Sequence, residues 1–327
     1  MAYYLGIDGG GTKTRCLLGD ETTVLATAMS GGSNIVRLGE TQAREAVHAT
    51  VRQVCATARI SPDRIQAICI GAAGAARPEI AAKIRGVVEE LFSETSRENI
   101  LTRIEIVGDT VVALEAAFGE GPGVIAIAGT GSIVYGRDAA GHTARAGGWG
   151  FAISDEGSGH WIGRQAISAI MSARDQGREP ALGALVLEAW KLGTIDELVR
   201  QANSTPPPNF PRLFPVVLRA ADKSDTIARD LLADAASRLA ALAATVIRRL
   251  AGQATADALC AAVPPVAMTG SVFRQSPYVR QLFSSALQDS FPGIEVRQEL
   301  VDPVEGALAR ARRVSAITGG QSRVIGK

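Results

Sequence analysis

One pattern constrains the fold more than any other feature of the chain, because it occurs twice, once in each half. In each copy an apolar strand leads into a turn rich in glycine and threonine, and a second strand follows. The first turn is IDGGGTKT at residues 7–14, and the second is AGTGS at residues 128–132. Glycine has no Cβ atom, so backbone N–H groups in such turns can approach a bound phosphate closely. The repetition predicts two domains of similar construction, although each turn alone could be a simple structural hairpin.

Short β-rich runs alternate with helical runs along the chain, which predicts an α/β fold. In the first half, the predicted strands are 3–8, 15–19, 24–28, 67–71 and 104–107, and the predicted helices are 41–59 and 78–92. The middle of the chain is predicted to be helical, with a loop at 206–208. In the second half, the predicted strands are 123–128, 132–137, 266–268 and 294–297, and the predicted helices are 225–250, 277–290 and 303–314.

The length of the chain, 327 residues, exceeds the size at which one hydrophobic core usually stops growing. We therefore expect an N-terminal domain at 1–112 and a C-terminal domain at 113–302. A C-terminal helix at about 303–316 is expected to return to the first domain. Residues 318–327 are predicted to form a loose tail, because they contain adjacent glycines and little apolar surface.

Composition excludes several classes of protein. Lys and Arg number 34 and Asp and Glu number 33, so no basic excess indicates a nucleic-acid partner. No apolar run approaches the roughly 20 residues that span a bilayer, and the N-terminus does not resemble a secretory signal. The four cysteines form no CxxC pair, which favours buried thiols in a reducing cytoplasm. We expect a cytoplasmic protein without nucleic-acid or membrane partners.

Acidic and glycine-rich motifs at the ends of predicted strands supply further candidate site residues. Asp8 ends the first strand, where a carboxylate can hold Mg²⁺ through water. Asp109 ends another strand and opens a helix, which suits a general base, a helix N-cap, or both roles together. Residues 147–150 and 154–159 combine glycines with acidic groups, which suits the hydroxyls of a sugar. The turn at 269–271 either accommodates a nucleoside against its backbone or is an ordinary strand–helix turn.

Taken in order, these motifs resemble the actin/Hsp70/sugar-kinase superfamily. More closely, the chain resembles the BadF/BadG/BcrA/BcrD-type ATPase family in its N-acetylglucosamine kinase branch, from residue 3 to about 313. The motifs that carry the resemblance are 6–14, 32–34, 108–109, 129–132, 147–150, 155–158 and 270–272. The resemblance implies two actin-like (ribonuclease H-like) domains with an ATP and sugar cleft between them. It also implies phosphorylation of the 6-hydroxyl of N-acetylglucosamine by MgATP, with N-acetylmuramic acid as a further substrate.

The resemblance further implies a role for each matching residue. The residues implied to contact the sugar are Asn34, Asp109, Gly147, Gly148 and Asp155. The residues implied to bind the nucleotide are Gly9, Gly10, Gly11, Thr12, Lys13, Gly129, Thr130, Gly131, Gly270 and Ser271. Asp8 is the implied metal-side carboxylate, and Asp109 is also the implied general base for the 6-hydroxyl. The expected cofactors are ATP and Mg²⁺, and a homodimer is expected.

Three alternatives stay open. A glucosamine kinase is one, because glucosamine kinases of the family share the motifs at 153–155 and 157–159. A non-kinase ATPase that activates acyl-CoA dehydratases is another, disfavoured because no cysteine lies near the turn at 129–131. An actin-like regulator without catalysis is the third. A ROK-type sugar kinase is a weaker candidate, because the cysteine-rich segment expected after His160 is missing.

Overall fold

The computed structural model describes residues 1–93, 103–252 and 263–319. The chain divides into two compact units, of which the first contains Met1–Gly121 and the chain from Val301 onward, and the second contains Pro122–Leu300. In the described ranges the strands form two five-stranded sheets. The predicted α/β fold is therefore confirmed.

The first unit contains nearly all of its strands and helices in one continuous run. These elements are β1 (Tyr3–Gly9), β2 (Lys13–Gly19), β3 (Val24–Gly31), α1 (Ile35–Leu38), α2 (Glu40–Ala58), β4 (Ile65–Ala72), α3 (Pro78–Ser93), β5 (Arg103–Gly108) and α4 (Asp109–Phe118). The strand order is β3-β2-β1-β4-β5. The first three strands are antiparallel neighbours, whereas β4 and β5 run parallel to β1.

The second unit follows, and one further helix returns the chain to the first. The elements are β6 (Gly123–Ala128), β7 (Ser132–Arg137), β8 (Thr143–Gly147), α5 (Gly159–Asp175), α6 (Ala181–Trp190), α7 (Ile195–Ala202), α8 (Phe214–Asp222), α9 (Thr226–Ala251), β9 (Val266–Thr269), α10 (Ser271–Gln275), α11 (Pro277–Ser290), β10 (Val296–Leu300) and α12 (Pro303–Gly319). The sheet order is β10-β9-β6-β7-β8, which repeats the first sheet's plan of an antiparallel meander beside two parallel strands.

Nearly every residue of β1 is buried, because helices cover both faces of the first sheet. Leu5 and Ile7 belong to the core formed with α2 and α3. Tyr4 points the other way and belongs to a smaller core that includes Val112 of α4 and Leu308 of α12. Successive side chains of a strand point to opposite faces, so one strand contributes to both cores.

Helix α12 approaches the first sheet and α4 so closely that only glycine fits at the contacts. A Cβ atom on Gly6 of β1 would lie 2.3 Å from the backbone nitrogen of Leu308. A Cβ atom on Gly306 would lie 2.0 Å from the carbonyl oxygen of Val112. Ion pairs from Arg310 to Glu105 and from Arg313 to the buried Glu115 link the helix to β5 and α4. The C-terminal helix is therefore an integral layer of the first unit.

Most element boundaries agree with the sequence predictions, and the differences have local causes. Strand β10 begins at Val296 rather than at 294, because a turn at 291–294 is closed by the Ile294 N–H donating to Phe291. Strand β8 was not predicted, since its sequence TARAG has little β propensity and pairs only because β7 lies beside it. Helix α12 extends two residues into the predicted tail, and residues 320–327 lie outside the described part of the chain.

Gly306→Ala is expected to lower the free energy of unfolding by about 1–3 kcal/mol, because its methyl group overlaps the backbone of α4. Gly86→Ala is the matched control, since Gly86 also lies within a helix but has no neighbouring atom within 4 Å of where its Cβ atom would lie. Alanine there is expected to stabilise by about 0.5–1 kcal/mol. Urea unfolding of both variants measures the difference, and wild-type stability of Gly306→Ala would show that α12 does not pack as described.

Candidate active site

In the first unit, the predicted site residues lie at one edge of the sheet. Parallel pairing of β1, β4 and β5 places Gly9, Ala72 and Gly108 side by side where these strands end. Open α/β sheets bind their ligands beyond the carboxyl ends of parallel strands. Asp8 and Asp109 are the acidic residues at two of these three ends.

The glycine-rich turn between β1 and β2 has the construction expected of an anion-binding hairpin. The Gly10 N–H donates to the carbonyl oxygen of Lys13 at 3.0 Å and closes the turn. Thr12 and Lys13 are exposed at its tip. Within the described residues, no protein acceptor is bonded to the N–H groups of Gly11 and Thr12. These donors can therefore turn to a phosphate.

The segment after β3 packs tightly against this turn. The Ser33 N–H donates to the Gly10 carbonyl at 3.0 Å, and the Thr14 hydroxyl donates to the Ser33 hydroxyl at 2.7 Å. A Cβ atom on Gly9 would lie 2.7 Å from the same Ser33 hydroxyl, so glycine is required there. The next residue, Asn34, is held beside the turn and caps α1 with its side-chain oxygen. Its amide group then remains as a donor for a ligand.

The Asp8 carboxylate has an unusual electrostatic environment. Its pKa is raised to about 7, mainly because the group is enclosed by the protein. The negative charges of Asp109 and Asp302 raise the pKa further, whereas Lys13 and Arg15 lower it. In the described ranges, no hydrogen bond or ion pair engages this carboxylate. A partly buried acid with a raised pKa and no protein partner is a common feature of functional sites.

Asp109 is the first residue of α4, and Gly108 occupies the N-cap position. The alternative that Asp109 is an N-cap is therefore wrong. Its Oδ1 atom accepts a hydrogen bond from the Thr110 N–H at 2.9 Å, which fixes the side chain. Burial raises the pKa of Asp109, and hydrogen bonds from backbone N–H groups partly oppose the shift.

Sequence reasoning missed two residues beside Asp8. Arg15 faces Asp8 from the neighbouring strand, because the two residues are directly paired in the antiparallel register of β1 and β2. The Arg15 guanidinium forms an ion pair with Asp302, which immediately precedes α12. The sequence Asp-Pro at 302–303 is a helix-start signal, but nothing local in it indicates that the helix begins beside Asp8.

In the second unit, the turn between β6 and β7 is held by the acidic segment at 154–160. The Gly159 N–H donates to the Gly129 carbonyl at 2.8 Å, and the His160 N–H donates to the Thr130 carbonyl at 3.2 Å. Ser132 donates its hydroxyl to the carbonyl of Glu156 at 2.7 Å. The predicted phosphate hairpin and the predicted sugar segment are thus one connected structure.

The other predicted glycines of the second unit adjoin the same hairpin. Gly270 has a φ of 105°, and a Cβ atom on it would lie 2.2 Å from the carbonyl oxygen of Ala128. Gly147 and Gly148 also have positive φ values, and a Cβ atom on Gly148 would lie 2.6 Å from Ile133. The backbone around the hairpin is therefore packed more closely than any larger residue allows.

The carboxylate of Asp155 lies against the hairpin between β6 and β7. The Ser132 N–H donates to its Oδ1 atom at 3.3 Å, and a Cβ atom on Gly131 would lie 3.0 Å from its Oδ2 atom. Its pKa is raised to about 6, mainly by burial and also by the charge of Glu156, while the Ser132 hydrogen bond opposes the shift. Burial and the neighbouring Glu156 charge therefore disfavour the ionised form of this carboxyl group.

The loop between Gly148 and Asp155 exposes apolar side chains. Trp149 is 61% exposed and Ile153 is 78% exposed. The Arg145 guanidinium lies over the Trp149 ring, 4.0 Å from its centroid. This loop offers apolar contact area next to the residues predicted to bind the sugar.

The structure groups the predicted residues by unit. In the first unit, Asp8, Asn34, Asp109 and the turn at 9–13 adjoin one sheet edge. In the second unit, residues 129–131, 147–148, 155 and 270–271 surround the end of β6.

Several negative findings apply to the described residues. No cluster of three or more His, Cys, Asp or Glu side chains there could hold a metal ion. Cys16, Cys55 and Cys69 are free and buried in the first unit, and Cys260 lies outside the described residues. None of the described helices combines the length and apolar character needed to cross a membrane.

Comparison with known proteins gives consistent matches across the chain. The BadF/BadG/BcrA/BcrD ATPase family profile matches residues 5–311. The N-acetylmuramic acid/N-acetylglucosamine kinase of Clostridium acetobutylicum is 30% identical over 316 residues, covering 95% of this chain and 99% of that protein. The N-acetyl-D-glucosamine kinase of Dictyostelium discoideum is 30% identical over 321 residues, covering 94% and 97%.

A solved structure supports the same assignment. The candidate N-acetylglucosamine kinase of Chromobacterium violaceum superimposes with a TM-score of 0.71 at 29% identity, covering 94% of this chain and 98% of that one. Sequence, fold and motif order thus agree over nearly the whole length. The chain has an actin-like α/β fold and belongs to the BadF/BadG/BcrA/BcrD ATPase family.

Proposed function

We propose that this protein is an amino-sugar kinase that transfers a phosphoryl group from MgATP to the 6-hydroxyl of N-acetylglucosamine, with N-acetylmuramic acid as a second substrate. The observation that carries the proposal is the structure around the end of β6. There a glycine hairpin suited to phosphate is bonded to the acidic segment that contains Asp155. The names of the relatives support the same activity.

The nucleotide is assigned to the glycine turns of both units. In the first unit, residues 9–13 supply backbone donors and the exposed Lys13 ammonium group for phosphate oxygens. In the second unit, the Gly129 N–H closes the 129–131 turn by donating to the Gly131 carbonyl, and the N–H groups of Thr130 and Gly131 are the proposed phosphate donors. Gly270 and Ser271 are assigned to the adenosine. The Cβ contacts at Gly9 and Gly270 indicate that these backbones are already packed as a cradle that tolerates no side chain.

Mg²⁺ is assigned to the Asp8 carboxylate. The fit rests on two observations in the described part of the chain: this carboxylate is unengaged by protein groups, and the buried Oδ1 atom of nearby Asp302 has no hydrogen-bond partner. Mg²⁺ usually keeps several waters and needs only one or two carboxylates beside the substrate phosphates, so a larger acidic cluster is unnecessary. When bound, the ion neutralises charge on the transferring phosphoryl group.

The sugar is assigned to Asn34, Gly147, Gly148, Asp155 and Asp109. The Asp155 carboxylate, whose Oδ1 atom accepts from the Ser132 N–H, has further lone pairs that can accept hydrogen bonds from sugar hydroxyls. In the proposed transfer, Asp109 orients the 6-hydroxyl and accepts its proton as that oxygen bonds to the γ-phosphorus of ATP and the bond from this phosphorus to ADP breaks. The bond from the Thr110 N–H to Oδ1 leaves Oδ2 as the atom that accepts the proton.

The proposal also includes partners, a compartment and an assembly, as expected from the sequence. ATP and a sugar are the small-molecule partners, the cytoplasm is the proposed compartment, and a homodimer is the proposed assembly. Glucosamine is the alternative substrate. An electron-transfer activator is less well supported, because Cys16, Cys55 and Cys69 are buried and no cysteine adjoins the 129–131 turn in the sequence.

A substrate screen tests the proposal directly. ADP release from MgATP is measured with N-acetylglucosamine, N-acetylmuramate, glucosamine and glucose. We expect the highest kcat/KM with N-acetylglucosamine. Faster turnover of glucosamine would favour the alternative substrate, and equal ADP release with and without every sugar would contradict a sugar kinase.

Asp109→Asn is expected to lower kcat by at least about 100-fold while leaving the affinity for ATP nearly unchanged, because asparagine keeps the size but cannot accept the proton. Asp196→Asn is the matched control, since Asp196 is an exposed aspartate in the first turn of α7. Steady-state kinetics measure both variants. A folded Asp109→Asn protein with normal turnover would eliminate the base assignment.

The raised pKa of Asp155 predicts a pH-dependent cost to stability. The pKa of this carboxyl group rises from 3.8 in the unfolded chain to about 6 in the folded protein. Its contribution to stability is therefore largest below pH 3.8, where the group is protonated in both states. That contribution is lost as the pH rises through 6. The melting temperature of Asp155→Asn should therefore rise relative to the wild type between pH 5 and pH 8, as measured by circular dichroism. A difference that stays constant or shrinks would contradict the described burial.

A further inference from the structure

Arg15 lies near the carboxylates of Asp8 and Asp302, and in the described part of the chain it forms an ion pair with Asp302 and not with Asp8. It lies directly across from Asp8 in the register of β1 and β2, so both side chains are on the same face of the sheet. Its charge also acts on Asp8, whose pKa it lowers. The guanidinium nevertheless bonds to Asp302, and no ion pair with Asp8 is formed.

Asp302 is placed by the fold rather than by its local sequence. It immediately precedes α12, and that helix is fixed against β1 by the close contact of Leu308 with Gly6. One carboxylate oxygen of Asp302 accepts from Arg15, while the other is buried without a hydrogen-bond partner. A buried carboxylate oxygen without a hydrogen-bond partner lowers the stability of the fold. Attachment of α12 alone therefore does not explain an aspartate at position 302.

We propose that Asp302 is a positioning residue, which holds Arg15 away from Asp8 and so keeps the Asp8 carboxylate open for Mg²⁺. This inference rests on the proposed function, which assigns the metal to Asp8. The charged groups acting on Asp8 are Asp109, Asp302, Lys13 and Arg15. Without Asp302, the carboxylate that Arg15 faces across the strands is that of Asp8 itself. A guanidinium bonded there would compete with the metal ion.

Two other roles for the pair make different predictions. If the ion pair only fastens α12, its removal lowers stability without a specific effect on Mg²⁺. If Arg15 binds a nucleotide phosphate, removal of Arg15 itself weakens nucleotide binding. The positioning role predicts that loss of Asp302 is harmful only while Arg15 is present.

Isothermal titration calorimetry of ADP, with and without Mg²⁺, distinguishes these roles. The proteins are the wild type, Asp302→Asn, Arg15→Gln, the double variant, and Glu305→Gln as a control from the exposed first turn of the same helix. We expect the Mg²⁺-dependent gain in ADP affinity to fall about tenfold or more in Asp302→Asn, since a charge-assisted hydrogen bond must be displaced. The gain should return to within about threefold of the wild type in the double variant, and stay unchanged in Arg15→Gln and Glu305→Gln.

A normal Mg²⁺-dependent gain in Asp302→Asn would overturn the proposal, and so would a double variant as impaired as the single one. Should Asp302→Asn fail to fold, Asp302→Ser replaces it, because serine is also favoured at a helix start but carries no charge to hold Arg15. A tenfold loss in Arg15→Gln would show that Arg15 contacts the nucleotide and would also overturn the proposal. If the wild type itself gains no affinity from Mg²⁺, the assignment of the metal to Asp8 is wrong and this inference falls with it. If the wild type does gain ADP affinity from Mg²⁺, the assignment of the metal to Asp8 stands, and the results for the variants test only the role of Asp302.

Discussion

Parallel strand pairing is the constraint on which the site depends. Because β1, β4 and β5 run in the same direction, their carboxyl ends meet at one edge, and Asp8 and Asp109 come together there although about a hundred residues separate them. The same arrangement in the second sheet aligns β6 with β9, which brings Gly270 against the turn that follows β6. The antiparallel hairpins β1–β2 and β6–β7 then place a glycine turn at each edge.

At the site edge of each sheet, tightly packed backbone lies beside carboxylates whose enclosure lowers the stability of the fold. Glycines at 9, 148 and 270 occupy positions where a Cβ atom would lie less than 3.0 Å from a neighbouring atom, so no larger residue fits the backbone there. The raised pKa values of Asp8, Asp109 and Asp155 show that the protein encloses acidic groups without fully compensating their charge. Such uncompensated acids reduce stability and are typical of sites selected for activity.

The sequence was informative where local signals and fold agree. Apolar runs that end in glycine predicted β1, β6 and their hairpins, and the alanine-rich period predicted α9, which the structure has at Thr226–Ala251. It failed where partners come from distant parts of the chain. Strand β8 depends on β7 for its existence, and the pairing of Arg15 with Asp302 joins residues 287 positions apart. No local pattern encodes such a contact.

The central claim is transfer of a phosphoryl group to the 6-hydroxyl of an amino sugar. ¹³C nuclear magnetic resonance of the product formed from N-acetylglucosamine and MgATP tests it most directly, because a carbon bonded through oxygen to phosphorus shows splitting by phosphorus. We expect the C6 signal to shift and split while the C1 signal stays that of a reducing sugar. A phosphorus-split C1 signal, or no phosphorylated sugar at all, would contradict it.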